Sequence, residues 1–156
     1  MRIALVEDNP ADVRWFTLTI GEMGIPHEIS VFDSGVAAIA AFHQSTPPDL
    51  ILANWYLPIL DFEDFIQLVR AIPRYGTTPI VVVTSDSDHY RERATALGVF
   101  CCLEKPVTTE QLDDVFSQLG RQQDATPGAN IASDIPPLLE GSLEDLIASV
   151  KAQGLV

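Results

Sequence analysis

An α/β domain built on a parallel sheet is the fold class that the sequence predicts, and three observations carry the prediction. Five apolar runs rich in β-branched residues recur along the first 120 residues, at Ile3–Val6, Ile29–Phe32, Leu50–Ala53, Ile80–Val83 and Val99–Leu103. Segments of helical period lie between them, so the order reads as repeated βαβ units with a sheet covered on both faces. Helix punctuation also falls where strands end.

In chain order, the charged start Met1-Arg2 leads into the first strand, which ends in Glu7-Asp8. Asn9-Pro10 with Asp12 then supplies an N-cap, a proline at the first helical position and an acid in the first turn. Val13, Phe16, Ile20 and Met23 follow at helical spacing. After the second strand, Asp33-Ser34 opens the short helix "GVAAIAAFHQ". The third strand ends at Asn54, the fourth at Thr84-Ser85, and the fifth is followed by Lys105-Pro106. Thr108 and Gln111 make a capping box ahead of Leu112, Val115, Phe116 and Leu119, and the fifth repeat ends near Gly120.

Three segments follow from this pattern: a domain over residues 1–120, a Pro/Gly-rich linker over 121–141, and a short amphipathic helix over 142–156. Ser142 and Asp145 cap that last helix, and Leu143, Leu146, Ile147 and Val150 fall on one face. A helix of about a dozen residues is marginal alone in water. Its apolar face therefore needs a cover, either the chain's own body or a dimer or partner contact.

Composition excludes several functions. With 22 acidic against 9 basic residues the net charge is -13, which repels phosphate backbones and leaves no basic cluster for nucleic acid. No apolar run reaches the roughly 18 to 20 residues of a membrane span, and the start is no signal peptide, so a cytoplasmic location is expected. The two cysteines are the neighbours Cys101 and Cys102, whose side chains point to opposite faces of a strand. They read as small buried hydrophobes, and with scattered His27, His43 and His89 they supply no metal-ligand spacing.

The chemistry collects at the carboxyl ends of the strands, where ligands of open parallel sheets bind. Glu7 and Asp8 face Thr84 and Lys105 there: carboxylates suit a hard divalent cation, while a hydroxyl and an ammonium suit a phosphoryl group. The nucleophile is missing.

The segments "LVEDNPADV", "PDLILANWYLP", "PIVVVTSDSD" and "CLEKPV", in this order over residues 1 to about 120, resemble the receiver domain of two-component response regulators. The Asn-Pro-Ala-Asp-Val start of the first helix is similar to stand-alone receivers that partner phytochrome-type and other sensor histidine kinases. The resemblance implies a flavodoxin-like doubly wound five-stranded sheet of order 2-1-3-4-5. It also implies that Asn54 stands where the family has its phosphoacceptor aspartate. Glu7, Asp8 and the Tyr56 carbonyl match the Mg²⁺ ligands, Thr84 the switch hydroxyl and Lys105 the phosphate-sensing lysine.

Three departures from that pattern bear on function. An amide oxygen is a poor nucleophile, so Asn54 is expected to take no phosphoryl group, and a site of Glu7, Asp8, Asn54 and Tyr56 is expected to hold Mg²⁺ weakly if at all. Lys105 is then free to pair with Glu7 or Asp8, an attraction of roughly 4 kcal/mol at about 4 Å before desolvation. Cys102 stands where the resemblance places an aromatic switch residue, and Phe100 lies two residues, about 6.6 Å, away on the same strand face. In "LPILDFEDF", Ile59 and Phe62 occupy positions often glycine in this loop; bulky residues resist φ > 0, so a different loop path is expected.

The expected function is thus a non-enzymatic, phosphorylation-independent receiver-like interaction module. A histidine kinase or other signalling protein is the expected partner. Homodimerisation through the fourth-helix, fifth-strand and fifth-helix face, or through the terminal helix, is the other association expected. The competing reading is a single-domain response regulator phosphorylated by a histidine kinase, with Asn54 an engineered or compensated substitution. Asp61 or Ser85 as surrogate acceptors lie away from the end of the third strand. A flavodoxin-like electron carrier fails because "EDNPAD" offers carboxylates to a phosphate dianion. A DNA-binding output domain does not fit in the 35 or so acidic residues after Gly120.

Overall fold

The two central strands form where apolar runs rich in β-branched residues are buried on both faces, while the second strand, at one edge of the sheet, has no buried position. In the computed structural model, which describes residues 1–124, the strands are β1 (Arg2–Val6), β2 (Glu28–Phe32), β3 (Leu50–Asn54), β4 (Ile80–Thr84) and β5 (Cys101–Glu104). All pair in parallel, in the order β2-β1-β3-β4-β5. The central strands β3 and β4 are buried at every position, as their uninterrupted apolar runs require. This is the doubly wound order expected, and its reversal at β1/β3 opens the crevice that holds the site.

The helices are α1 (Pro10–Glu22), α2 (Gly35–Phe42), α3 (Phe62–Ala71), α4 (Ser87–Ala96) and α5 (Thr109–Asp124), with a 3₁₀ turn at Pro73–Tyr75. Asn9 caps α1 by accepting from the Ala11 amide, and Ser34 caps α2 by accepting from Ala37. Asp61 and Asp86 do the same for α3 and α4. The helix α2 stops at Phe42, two residues short of the expected "HQ". There the Arg74 guanidinium takes the open carbonyls, donating to Phe42 and Ser45 at 2.8 Å and also to His43.

Two boundaries differ from the sequence expectation. Strand β5 begins at Cys101, because Gly98 turns the chain at φ 77° and the Val99 amide still caps α4 by donating to Ala94 O. Helix α5 runs four residues past Gly120 to Asp124, since a single glycine weakens a helix by only about 1 kcal/mol. The remainder of the expected linker and the helix at 142–156 lie outside the described residues.

The chain divides into two compact units, Met1–Thr109 and Glu110–Val156. The first contains the sheet and α1 to α4. Its core is formed by the strands with Phe16 and Ile20 of α1, Ala38, Ile39 and Phe42 of α2, and the stripe Phe62, Phe65, Ile66, Leu68 and Val69 of α3. Within the second, α5 buries Leu112, Val115, Phe116 and Leu119. Among the described residues no helix is long and apolar enough to cross a membrane.

Helix α4 is the exception to core anchoring. Only Ser87 and Ala94 are buried along its ten residues, so hydrophobic contact contributes little to its position. It is fixed instead by side-chain contacts at its first two turns, described next.

Candidate functional site

Glu7 continues β1 beyond its last residue and is 2% exposed, a depth at which a carboxylate needs partners for both oxygens. It has them. Oε1 accepts from the Asn9 backbone amide and from Asn54 Nδ2, each at 3.1 Å, and Oε2 accepts from Lys105 Nζ at 2.8 Å. The same ammonium donates to Asp12 Oδ2 at 2.7 Å. The expected pairing of Lys105 with Glu7 is therefore present. Asp12, read in the sequence only as a first-turn acid, is the second partner; Asp8 is exposed and outside this pairing. For Lys105, burial alone would lower the pKa, but the hydrogen bonds to Asp12 and Glu7 outweigh it and the net shift is upward. The ammonium is charged throughout the neutral range.

Asn54 ends β3 almost fully buried. Its amide nitrogen is turned to Glu7, and its Oδ1 receives the Tyr56 backbone amide at 3.4 Å. Thr84 is fully buried at the tip of β4, where its hydroxyl accepts from the Asp86 amide at 3.3 Å and its carbonyl from the Lys105 amide at 2.9 Å. Cys102 lies on β5 opposite Val82, away from these polar contacts. Burial pushes the Cys101 thiol up to about 11 and Cys102 upward as well, so both stay protonated and unreactive at neutral pH. Strand tips thus bring Glu7, Asn54 and Lys105 into one bonded cluster; Thr84 joins it through the backbone, and Cys102 does not join it.

These donors fit a divalent cation poorly. Both Glu7 oxygens are engaged, Asn54 presents an N–H toward Glu7, and an ammonium already lies between Glu7 and Asp12. Among the described residues, no group of three or more His, Cys, Asp or Glu side chains is placed to hold a metal ion.

Sequence reasoning expected the bulky residues of the loop after β3 to avoid positive φ, and at Ile59 the structure does not follow that expectation. Ile59 adopts φ 72°, the left-handed region a β-branched side chain resists, and is half exposed there. The residue is held in place from both sides: the Leu60 amide donates to Pro58 O at 2.8 Å, and Leu60 and Phe62 are buried. Phe62 itself starts α3 as an ordinary helical residue, so glycine is not required at that position.

Sequence reasoning also missed an aromatic cluster tying this loop to α4. The Tyr90 ring stacks on Trp55 with centroids 4.4 Å apart and meets Tyr56 edge-on at 5.8 Å. The two tyrosine hydroxyls are hydrogen-bonded to each other, and Arg93 pairs with Glu63. The signal was a single aromatic inside the otherwise polar "DHYRER". On the opposite flank, the Trp15 indole donates to Val107 O at 2.8 Å, just beyond the cis Lys105–Pro106 peptide.

A doubly wound sheet with acids, a hydroxyl and a lysine at its strand tips defines a class of signalling domain, and the comparison with known proteins agrees. Residues 3–117 match the response regulator receiver domain, and the chain belongs to that family. It is 31% identical over 126 residues to the response regulator Rcp1 of Synechocystis, covering 75% of this chain and 82% of that one. It is 27% identical over 136 residues to the signal transduction histidine-protein kinase BarA of Escherichia coli K12, covering 86% of this chain but only 14% of that kinase. Among solved structures, the receiver domain of the sensor histidine kinase PA1611 from Pseudomonas aeruginosa, with magnesium coordinated in its active site cleft, superposes with a TM-score of 0.68. The identity is 25%, over 76% of this chain and 97% of that one. The bacteriophytochrome response regulator AtBRR gives a TM-score of 0.66 at 27% identity, over 76% and 91%.

Proposed function

We propose that this chain is a receiver-like protein–protein interaction module whose output does not depend on phosphorylation. The observation that carries the reading is the bond from Asn54 Nδ2 to Glu7: at the end of β3 the chain presents a carboxamide engaged as a donor, where acyl-phosphate chemistry needs a free carboxylate oxygen. The Lys105 ammonium, paired with Glu7 and Asp12, is drawn away from phosphate sensing. Thr84 and Cys102 then have no incoming charge to report. In this reading Mg²⁺ is held weakly, by Glu7, Asp8, Asn54 and the Tyr56 carbonyl.

The partner is a signalling protein of the two-component class, a histidine kinase or a protein it serves, recognised by a surface in one fixed conformation. Incubating the chain with acetyl phosphate and Mg²⁺ and reading its intact mass tests this. The expected spectrum is unchanged, and a phosphoryl adduct in stoichiometric yield ends the reading in favour of a phosphorylated single-domain regulator.

A further inference from the structure

We infer that the Lys105 ammonium is the resident cation of the acid pocket, and that its presence is what keeps a divalent ion from binding tightly there. Burying a carboxylate as deeply as Glu7 is costly without a positive partner, and Lys105 Nζ supplies one at 2.8 Å. The nitrogen is shared with Asp12 at 2.7 Å, so one ammonium bridges two carboxylates, as a divalent ion bridges its ligands. The remaining Glu7 oxygen is committed to two N–H groups, from Asn9 and Asn54.

A hard cation bound to Glu7 therefore has to displace either the ammonium or both N–H donors, and then lie against the lysine's positive charge. Ion binding and the Lys105 pairing oppose one another. Replacing Lys105 by a neutral side chain of similar length removes the competitor and leaves the Glu7 and Asp12 carboxylates without the ammonium that joins them. Their uncompensated negative charge then attracts a hard divalent cation. The inference deepens the weak-Mg²⁺ part of the proposed function by naming its cause.

The test titrates Mn²⁺ into the full chain and into Lys105→Met and Lys105→Arg, with free ion read by electron paramagnetic resonance and stability by thermal unfolding. Lys105→Met is expected to bind Mn²⁺ at least about tenfold more tightly than the parent, because the opposing charge is gone, and to gain melting temperature from it. Lys105→Arg, which keeps the charge, is expected to follow the parent. Adding Glu7→Gln to Lys105→Met is expected to abolish the gain. Equal affinity of the parent and Lys105→Met overturns the inference, as does equal tightening in Lys105→Arg.

Should Lys105→Met unfold in chelator, recovery of its native circular dichroism on adding Mn²⁺ supports the inference; no recovery in either Lys105→Met or Lys105→Gln overturns it. A phosphoryl adduct on the parent chain would refute the proposed function and leave this comparison standing.

Discussion

Replacing Asn54 by aspartate restores the side chain that the family resemblance places at the end of β3, and the geometry indicates that the protein is less stable for it. The substitution exchanges Nδ2, a donor 3.1 Å from Glu7 Oε1, for an oxygen that repels it. At that separation and an effective dielectric near 20 the repulsion is about 5 kcal/mol, of which Lys105 offsets roughly half. The lost hydrogen bond to a charged acceptor adds about 1.5–3 kcal/mol. A net loss of about 4–5 kcal/mol is expected, or a melting temperature lower by about 15 °C for a domain of this size. The assay is urea unfolding of both chains in chelator at several pH values. Two carboxylates in contact raise the folded-state pKa of the pair above its unfolded value, so the folded variant binds more protons than the unfolded chain. The deficit is therefore small near pH 4, grows as pH rises through the raised pKa, and is constant above it. Mg²⁺ is expected to reduce it, since paired carboxylates hold the ion in the folded state alone. An Asn54→Asp chain as stable as the parent in chelator at pH 7, with no trend between pH 4 and 7, would refute the reasoning.

Two further outcomes follow from the loop and helix beside the pocket. Ile59→Gly is expected to stay within about 1 kcal/mol of the parent in chemical denaturation, because relief of about 1–3 kcal/mol of backbone strain offsets the lost contacts and added unfolded freedom; a loss beyond about 2 kcal/mol would show that φ 72° carries no strain. Tyr90→Ala is expected to destabilise by about 2 kcal/mol and to speed amide exchange along α4 selectively, whereas Tyr90→Phe, which keeps the ring on Trp55, recovers most of the loss. Uniform exchange across the sheet and α4 in Tyr90→Ala would contradict the assignment of α4's position to this ring.

The sheet was legible because β3 and β4 are buried on both faces, and a run as short and as β-branched as Ile80–Val83 favours a strand over a buried helical segment. The capped starts of α1 and α2 were legible because Asn9 and Ser34 act on amides two and three residues away. The end of α5 and the start of β5 were not, since both depend on how one glycine is used. Gly120 continues a helix, and Gly98 turns the chain. At the site, Glu7, Asn54 and Lys105 could be placed together because each terminates or follows a strand. Asp12 could not be given its role, because a first-turn acid reads the same whether it serves the helix dipole or reaches a lysine 93 positions later. The positive φ at Ile59 is imposed by tertiary packing against local preference, which no local pattern records.

The bridge from Lys105 to Glu7 and Asp12 has a consequence for timing. A receptor surface that exists in a single conformer has its whole population competent to bind, so association carries no penalty for selecting a rare state. Under the proposed function there is no labile bond to hydrolyse, and such a molecule does not run down by itself. The duration of its message would then be set by how much polypeptide is made and how fast it is degraded, and its strength would scale with abundance.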